Sequence, residues 1–264
     1  MTLPFEGRSA LVTGGGSGIG LATASRFAEL GAIVTICGRT TEKLEAAAAA
    51  IEAEVPRAVV RTISADVTVE EDVAAAVDVA AAITGRLDVL FACAGGSMHM
   101  GAIVDADDAA VRGTVELNLI GSFLCVKHAA RMMIPAGGGS IVLMSSGAGH
   151  FPHRWLWAYG MAKRGIESLC DSAAEELAES KIRVNVVQPG IIDDELMSFI
   201  TAGGALFDDY MAETPLGRAG TVEDVAKAVT FLAGDDAAWI TGEHLSVDGG
   251  HHLRRGADYS KLFS

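Results

Sequence analysis

Residues 9–20 read Ser-Ala-Leu-Val-Thr-Gly-Gly-Gly-Ser-Gly-Ile-Gly, and this stretch decides the fold. Its apolar start predicts a buried strand over 9–13, its glycines predict a tight turn, and the pattern that follows predicts a helix over 19–30. Glycines let a pyrophosphate approach the backbone, and the helix N-terminus presents unpaired N–H groups and a positive dipole end. Strand, glycine-rich turn and helix in this order therefore predict a dinucleotide site.

Short runs rich in Val, Ile and Leu alternate with Ala-rich amphipathic stretches along nearly the whole chain. This alternation predicts an α/β fold, a Rossmann-like doubly wound parallel sheet of about seven strands with helices on both faces. We expect one domain over residues 1–264, because no repeat or linker marks a boundary. The predicted strands are 9–13, 33–37, 59–64, 89–92, 140–144, 183–187 and 244–247. The predicted helices are 19–30, 41–55, 69–83, 107–134, 157–179 and 222–233.

Two segments interrupt the alternation. In the region 190–220, Pro and Gly bracket a weak helical pattern, which predicts either a mobile substrate lid or a well-packed structural excursion. Residues 251–264 form a C-terminal tail with a basic pair, Arg254 and Arg255. Such a tail is expected to reach a neighbouring subunit or to fray.

The 264-residue chain carries 20 Lys and Arg against 34 Asp and Glu, a formal net charge of −14. An acidic field repels phosphate backbones and anionic lipid, so we expect neither a nucleic acid nor a membrane as partner. The N-terminus lacks a signal-peptide pattern and no apolar run approaches the ~18 residues of a membrane span, so the cytoplasm is the expected location. The 4 cysteines form no C-x-x-C pair, which predicts neither a metal site nor a disulfide framework.

The end of the second predicted strand bears on the choice of cofactor. A carboxylate that would hold the ribose hydroxyls of NAD is missing from Cys37-Gly38-Arg39-Thr40. The guanidinium of Arg39 can instead pair with a 2′-phosphate, so NADP(H) is favoured over NAD(H). The alternative is that Arg39 is a solvated surface charge.

Tyr159 and Lys163 are four residues apart at the start of a predicted helix, so they share one face. A phenol can exchange protons near neutral pH only if its phenolate is stabilised, which a neighbouring ammonium can do. Ser145 and Ser146 follow the buried strand 140–144, where a hydroxyl can either cap the strand or donate a hydrogen bond to a carbonyl oxygen. The absence of a G-x-S-x-G motif disfavours an acyl-serine hydrolase.

Further motifs are spread over nearly the whole chain: Thr13-Gly14-x-x-x-Gly18-x-Gly20, Asp66-Val67, Ala94-Gly95, Asn118, Ser146, Tyr159-x-x-x-Lys163, Pro189-Gly190 and Val247-Asp248-Gly249-Gly250. Together they resemble the short-chain dehydrogenase/reductase family in its compact form. The resemblance implies that Tyr159 is the general acid and base, that Lys163 lowers its pKa, that Ser146 binds the substrate oxygen and that Asn118 anchors a relay water. The cofactor residues that it implies are Gly14, Ser17, Gly18, Ile19, Gly20, Asp66, Val67, Ala94, Gly95, Tyr159, Lys163, Pro189, Gly190 and Ile192, to which the sequence adds Arg39.

Three features of the substrate side stand out. Cys93 occupies a position where the family has Asn, and Asp194 one where a Thr commonly bonds the nicotinamide carboxamide. Trp155 and Trp157 lie close to Tyr159 in sequence and predict a pocket for a bulky apolar substrate, steroid-, polyketide- or lipid-like. The alternative is that these tryptophans pack a subunit interface or the core.

The expected function is interconversion of a secondary alcohol and a ketone by an NAD(P)(H)-dependent oxidoreductase. A 3-oxoacyl-thioester reductase, acting on an acyl carrier protein or CoA substrate, is the alternative within the enzyme class. A nucleotide-sensing protein without turnover is the alternative from another class. The resemblance further implies a homo-oligomer, either a dimer or a tetramer.

Overall fold

A parallel seven-stranded sheet lies at the centre of the structure, a computed structural model that describes residues 3–195, 197–256 and 259–262. The strands are β1 (Ser9–Thr13), β2 (Ile33–Gly38), β3 (Val59–Ser64), β4 (Val89–Ala92), β5 (Gly139–Met144), β6 (Ile182–Pro189), β7 (Ile192–Asp193), β8 (Gly220–Thr221) and β9 (His244–Val247). The large sheet has the order β3-β2-β1-β4-β5-β6-β9, and β7 pairs with β8 outside it. The predicted sheet is confirmed.

Helices cover both faces of this sheet, as predicted. They are α1 (Gly18–Glu29), α2 (Thr41–Glu54), α3 (Glu70–Ala81), α4 (Asp108–Val115), α5 (Gly121–Ala136), α6 (Gly147–His150), α7 (Trp157–Leu177), α8 (Ser198–Thr201), α9 (Ala205–Glu213) and α10 (Val222–Ala233). Buried side chains of α1, α2 and α10, such as Phe27 and Leu232, pack on one face. Those of α3, α5 and α7, such as Met133 and Ile166, pack on the other. Two apolar cores therefore hold the strand ends in place.

The strand order reverses between β1 and β4, since the chain runs outward through β2 and β3 and then returns to the other side of β1. Thr13 fixes this point, because its Oγ1 accepts hydrogen bonds from the backbone N–H of Cys93 and of Ala94, both at 3.0 Å. Ligands bind in the crevice outside the carboxyl ends of strands at such a reversal. The fold thus creates a crevice directly above the glycine-rich turn.

The helix predicted over 107–134 is divided in the structure. A π-helical turn, Glu116–Ile120, separates α4 from α5. The amide of Asn118 bonds outward across this turn, donating to the carbonyl of Gly96 at 2.7 Å while its Oδ1 accepts from the Gly96 N–H at 3.2 Å. Apolar periodicity does not reveal such a turn, because the register changes without a break in the pattern.

By length and composition alone, Asp108–Ala136 would be able to cross a membrane. Within the fold this stretch comprises α4, the π-helical turn and α5, and Leu124, Ala129 and Met133 of α5 are buried against the sheet. Helices of this kind pass a length and hydropathy test without entering lipid.

Above the carboxyl ends of β5 and β6, the chain makes an excursion through β7, α8, α9 and β8 before it enters α10. The described part of the C-terminal tail packs against this excursion. Arg255 and Lys261 both form ion pairs with the buried carboxylate of Asp209 on α9, at 2.7 and 2.6 Å. The tail therefore folds onto its own chain, an arrangement that the two expectations for this segment did not include.

Candidate active site

The glycine-rich turn leaves space for a phosphate at the start of α1. A Cβ at Gly20 would overlap the carbonyl oxygen of Gly14, and one at Gly14 would lie 3.1 Å from the Cα of Ala94. Gly14 and Gly18 also have positive φ angles of 68° and 53°, which glycine adopts without strain. The first turn of α1 carries no acidic residue, and Ser17 and Ile19 flank its N-terminus. The backbone present therefore fits a dinucleotide pyrophosphate.

The residues predicted to contact the adenosine of a dinucleotide follow β2 and β3. Asp66 accepts hydrogen bonds from the N–H and the hydroxyl of Thr68, at 2.9 and 2.7 Å. These bonds lower the pKa of the Asp66 carboxyl, and the charge of Arg39 lowers it further. Arg39 is exposed, and among the described residues no carboxylate forms an ion pair with it. The guanidinium of Arg39 thus lies at the end of β2, close enough to Asp66 to affect its pKa, while Val67 is buried against Gly121.

At the centre of the crevice, Ala94 and Gly95 lie between the turn and the catalytic helix. A Cβ at Gly95 would lie 2.5 Å from Oδ1 of Asn118 and 3.2 Å from Nζ of Lys163. The carbonyl of Asn118 accepts a hydrogen bond from the Ser122 hydroxyl at 2.6 Å. Glycine at position 95 therefore permits the close approach of strand β4, the π-helical turn and the ammonium group.

The predicted catalytic residues converge where β5 ends and α7 begins. Ser146 is the N-cap of α6, and its Oγ accepts from the N–H of Ala148 at 3.2 Å. Lys163 is 2 % exposed, donates to the carbonyl of Met144 at 2.8 Å and lies 5.2 Å from the ring centre of Tyr159. Serine, phenol and ammonium therefore share one small space.

Burial shifts the pKa values of Tyr159 and Lys163 in opposite directions. Desolvation raises the pKa of the Tyr159 phenol far above its ordinary value, and a hydrogen bond with Ser146 acts in the opposite direction. The expected lowering of this pKa by Lys163 is not observed, because burial outweighs it. Desolvation also lowers the pKa of the Lys163 ammonium to about 8. At neutral pH the phenol is thus protonated and the lysine remains largely charged, which is the arrangement needed to deliver a proton to an oxygen and to stabilise the phenolate left behind.

A buried carboxylate that the sequence analysis missed supports this arrangement from below. Glu167 is 1 % exposed, and its Oε1 accepts from the Ser145 hydroxyl at 2.8 Å and the Gln188 amide at 2.7 Å. Its Oε2 accepts from Arg164 at 2.8 Å. Because Ser145 follows β5, Gln188 belongs to β6 and Glu167 belongs to α7, one side chain joins the three elements that hold the site. Glu167 follows Lys163 by four residues, so the two share one face of the helix. This spacing could have identified Glu167 from the sequence.

An apolar cluster surrounds the reactive side of Tyr159. Its buried members are Ala148, Leu156, Ile191, Ile200, Leu206, Tyr210 and Tyr259, with Trp155 and Met197 packed against them. We call these residues the apolar cluster. Its members are apolar or aromatic, and Tyr159 packs against it.

The apolar cluster also contains a pair of phenols. The hydroxyls of Tyr210, from α9, and Tyr259, from the tail, are 2.9 Å apart. One hydroxyl donates to the other, so one hydroxyl hydrogen of the pair remains, and none of the described residues accepts it. Their neighbours His153 and His251 complete an aromatic group, in which burial lowers the pKa of His153 to about 4. Within the described part of the chain, no group of His, Cys, Asp and Glu is arranged to hold a metal.

The two tryptophans occupy different places. Trp155 packs against the apolar cluster and has a positive φ of 71°, an uncommon conformation for a large side chain. Trp157 donates its indole N–H to the carbonyl of Gly101 at 3.2 Å and contacts the ring of His99. The structure therefore brings Trp155 to the site and places Trp157 against the neighbouring 98–101 segment.

Comparisons with known proteins fit this geometry. A family model described as enoyl-(acyl carrier protein) reductase matches residues 14–252. A solved short-chain type dehydrogenase/reductase from Mycobacterium ulcerans is 45% identical, with a TM-score of 0.96 and coverage of 98% of this chain and 95% of its own. The chain belongs to the short-chain dehydrogenase/reductase family.

Two relatives within the short-chain dehydrogenase/reductase family have named reactions. Cis-4-hydroxycyclohexanecarboxylate dehydrogenase of Sinomonas cyclohexanicum is 44% identical, covering 94% of this chain and 97% of its own length. L-rhamnose 1-dehydrogenase (NAD(P)(+)) of a Sphingomonas species is 36% identical, covering 94% and 98%. Membership implies an oxidoreductase that uses NAD(P), without distinguishing the two dinucleotides.

The segment after β6 contains the nicotinamide contacts that the short-chain dehydrogenase/reductase family implies. Pro189 and Ile192 are buried, and Gly190 packs so closely against Asp248 that a Cβ would lie 2.9 Å from the Asp248 Cβ. Asp194 extends from this segment toward the glycine-rich turn, where its Oδ2 lies 2.8 Å from the position of a Cβ at Gly18. The structure thus places the predicted residues near the carboxyl ends of β1, β4, β5 and β6, with Asp194 facing the glycine-rich turn. Glu167, Tyr210 and Tyr259, which lie in the same region, were not singled out by the sequence analysis.

Proposed function

We propose that this protein uses NAD(P)(H) to interconvert a secondary alcohol and a ketone on an apolar, ring-shaped substrate. The observation that carries the proposal is the convergence of Ser146, Tyr159 and Lys163 beneath the apolar cluster. A hydroxyl on a cyclohexane ring is the group named in the Sinomonas relative. Bulkier apolar substrates, steroid-, polyketide- or lipid-like, are the second group to be tested.

Proton transfer belongs to the protein's own side chains. In ketone reduction Tyr159 donates its phenol proton to the substrate oxygen, and in alcohol oxidation the phenolate takes that proton back. Ser146 donates a hydrogen bond to the same oxygen as negative charge develops there. Lys163 holds its ammonium near the phenolate and offsets the charge. The bound dinucleotide supplies or accepts the hydride.

Asn118 has two tasks in this proposal. Its side chain holds the backbone of Gly96, which keeps β4 against the catalytic helix. Its carbonyl already accepts hydrogen bonds from the Ser122 hydroxyl and from the backbone N–H of Gly121, so a relay water that connects Lys163 to solvent would have to share this carbonyl with them.

The proposed dinucleotide site follows the crevice from end to end. Pyrophosphate lies on the turn formed by Gly14, Ser17, Gly18, Ile19 and Gly20, and adenine lies at Asp66 and Val67. The ribose beside the nicotinamide is held by Tyr159 and Lys163 next to Ala94 and Gly95. The nicotinamide itself is placed against Pro189, Gly190 and Ile192. NADP(H) is favoured because Arg39 is exposed at the end of β2.

We further propose that residues 190–220 act as the substrate lid, together with the tail 251–264. The ion pairs of Asp209 with Arg255 and Lys261 support a joint movement of lid and tail. One domain over residues 1–264, a cytoplasmic location and a homo-oligomer, dimer or tetramer, complete the proposal.

Cofactor preference is tested by titrating the protein with NADPH and NADH and following energy transfer from tryptophan to the reduced nicotinamide. We expect NADPH to bind more tightly, and Arg39→Ala to remove the difference because the fork that pairs with the 2′-phosphate is gone. Arg131→Ala, an equal change of charge at an exposed position on α5, is the control. Tighter binding of NADH by the unaltered protein would show that Arg39 is only a surface charge.

The substrate proposal is tested by following reduced nicotinamide while supplying cis-4-hydroxycyclohexanecarboxylate, cyclohexanol, a hydroxysteroid or a 3-oxoacyl-CoA. The proposal expects each of the three ring alcohols to react with a higher kcat/KM than the thioester, and the uncharged cyclohexanol and hydroxysteroid to react with a higher kcat/KM than the carboxylate. Fastest turnover of the thioester would identify the reductase alternative instead. Tight dinucleotide binding with no turnover of any substrate would favour the nucleotide sensor.

A further inference from the structure

Asp194 places a carboxylate between the two ends of the nucleotide crevice. Its Oδ1 accepts from the N–H of Met197 at 2.8 Å, and its Oδ2 faces Gly18. No described cation forms an ion pair with it. Asp193 beside it is exposed and bonded to Thr201. Asp194 is therefore a fixed, unpaired negative charge over the crevice.

The charge of Asp194 also reaches the catalytic end of the crevice. Cys93, at the carboxyl end of β4, is influenced by Asp194 and by Lys163, in opposite directions. Asp194 also follows Ile192 by two residues, in the segment against which the proposed function places the nicotinamide. Its carboxylate therefore lies between that segment and the glycine-rich turn.

We propose that Asp194 sets the relative affinity of the site for the two redox forms of the dinucleotide. The oxidised nicotinamide ring carries a positive charge and the reduced ring carries none, whereas the pyrophosphate has the same charge in both. A carboxylate beside the ring stabilises the oxidised form selectively, and its repulsion of the pyrophosphate weakens both forms alike.

This selectivity has a chemical consequence for the hydride transfer. Hydride leaves the reduced ring with its electron pair and the ring becomes cationic, while the substrate carbonyl carbon gains the hydride and its oxygen gains the Tyr159 proton. Because Asp194 stabilises the cationic ring, it shifts the equilibrium of bound reactants toward ketone reduction. The inference rests on the placement of the nicotinamide in the proposed function.

The test uses the ratio of the dissociation constants for NAD⁺ and NADH, and the same ratio for NADP⁺ and NADPH. Isothermal titration calorimetry gives both constants for the unaltered protein, Asp194→Asn and Asp194→Thr. We expect both variants to raise the oxidised-to-reduced ratio about three- to tenfold, the size of one unit charge acting across a partly solvated site. Asp193→Asn, which removes an equal charge from the adjacent residue, should leave the ratio within about twofold.

The ratio of the two dissociation constants does not respond to changes that weaken the binding of both redox forms equally. A loss of folding or of pyrophosphate repulsion alters both constants together and cancels. An unchanged ratio in both Asp194 variants, or an equal rise in Asp193→Asn, overturns the inference. Failure of the unaltered protein to bind any dinucleotide would instead overturn the proposed function, so the two failures are distinguishable.

Discussion

Backbone groups build the proposed nucleotide end of the site, whereas side chains from distant segments build its proposed substrate end. At the nucleotide end, glycines at 14, 18 and 20 bring strand β1 and helix α1 to one point within a single short stretch. At the substrate end, Leu156, Tyr210 and Tyr259 meet from three separate segments. The first end depends on local geometry and the second on long-range packing, so they should respond differently to substitution.

The largest expected effect separates chemistry from nucleotide binding. Tyr159→Phe removes the proton donor while leaving the ring in place, so kcat should fall about 1,000-fold or more. The dissociation constant for the preferred dinucleotide should change by less than about threefold, because one hydroxyl is a small part of that site. Steady-state kinetics and fluorescence titration check both. If kcat were retained, Tyr159 would not be the proton donor.

Substitution of Glu167 tests how much its buried hydrogen bonds contribute to the free energy of unfolding. Glu167→Ala leaves Ser145 and Gln188 without their acceptor and should lower the free energy of unfolding by about 3 kcal/mol. Glu175→Ala, at an exposed position on the same helix, should change it by less than about 0.5 kcal/mol. Urea denaturation measures both. Equal effects of the two substitutions would show that the buried network adds no stability.

Two buried thiols, one near each end, test whether both ends contribute to the loss of stability at alkaline pH. Burial raises the pKa of Cys37, at the nucleotide end, and of Cys170, on α7, from 9.0 to about 12. Up to pH 9 each thiol is protonated in both states; between 9 and 12 only the unfolded thiol ionises, so stability falls as pH rises.

Each thiol should contribute a fall of about 1 kcal/mol between about pH 9 and 10, and the slope approaches about 1.4 kcal/mol per pH unit above that. Cys37→Ala and Cys170→Ala should therefore each flatten the decline in urea-derived stability between about pH 9 and 10 by a similar amount. Were the decline as steep in both variants as in the unaltered protein, other groups would control the alkaline unfolding.

The smallest expected effect is confined to the substrate end. Tyr210→Phe and Tyr259→Phe each remove one hydroxyl from the pair, and each should lower kcat/KM for a ring substrate about fivefold. The double variant should cost little more than either single one, because the two hydroxyls act together. Dinucleotide dissociation constants serve as the internal control. A change in those constants would mean that the tail also supports the nucleotide end.

The same contrast explains how much of the molecule could be predicted from its sequence. The strands, most helices and the glycine-rich turn follow from local apolar patterns, and the sheet they predict is the one observed. The π-helical turn at Asn118 escaped prediction because it changes register without changing composition. Tyr259 escaped because nothing local to the tail shows that it packs beside Tyr210, about fifty residues earlier in the chain.

The position of Tyr259 near the end of the chain also determines when its contacts can form during synthesis. Domains fold from the N-terminus as they leave the ribosome. Strands β1 to β5 and the glycine-rich turn are complete long before residues 251–262 are translated. A nascent chain can thus form the glycine-rich turn early, whereas the contact of Tyr259 with Tyr210 and the ion pairs of Arg255 and Lys261 with Asp209 can form only at the end of synthesis.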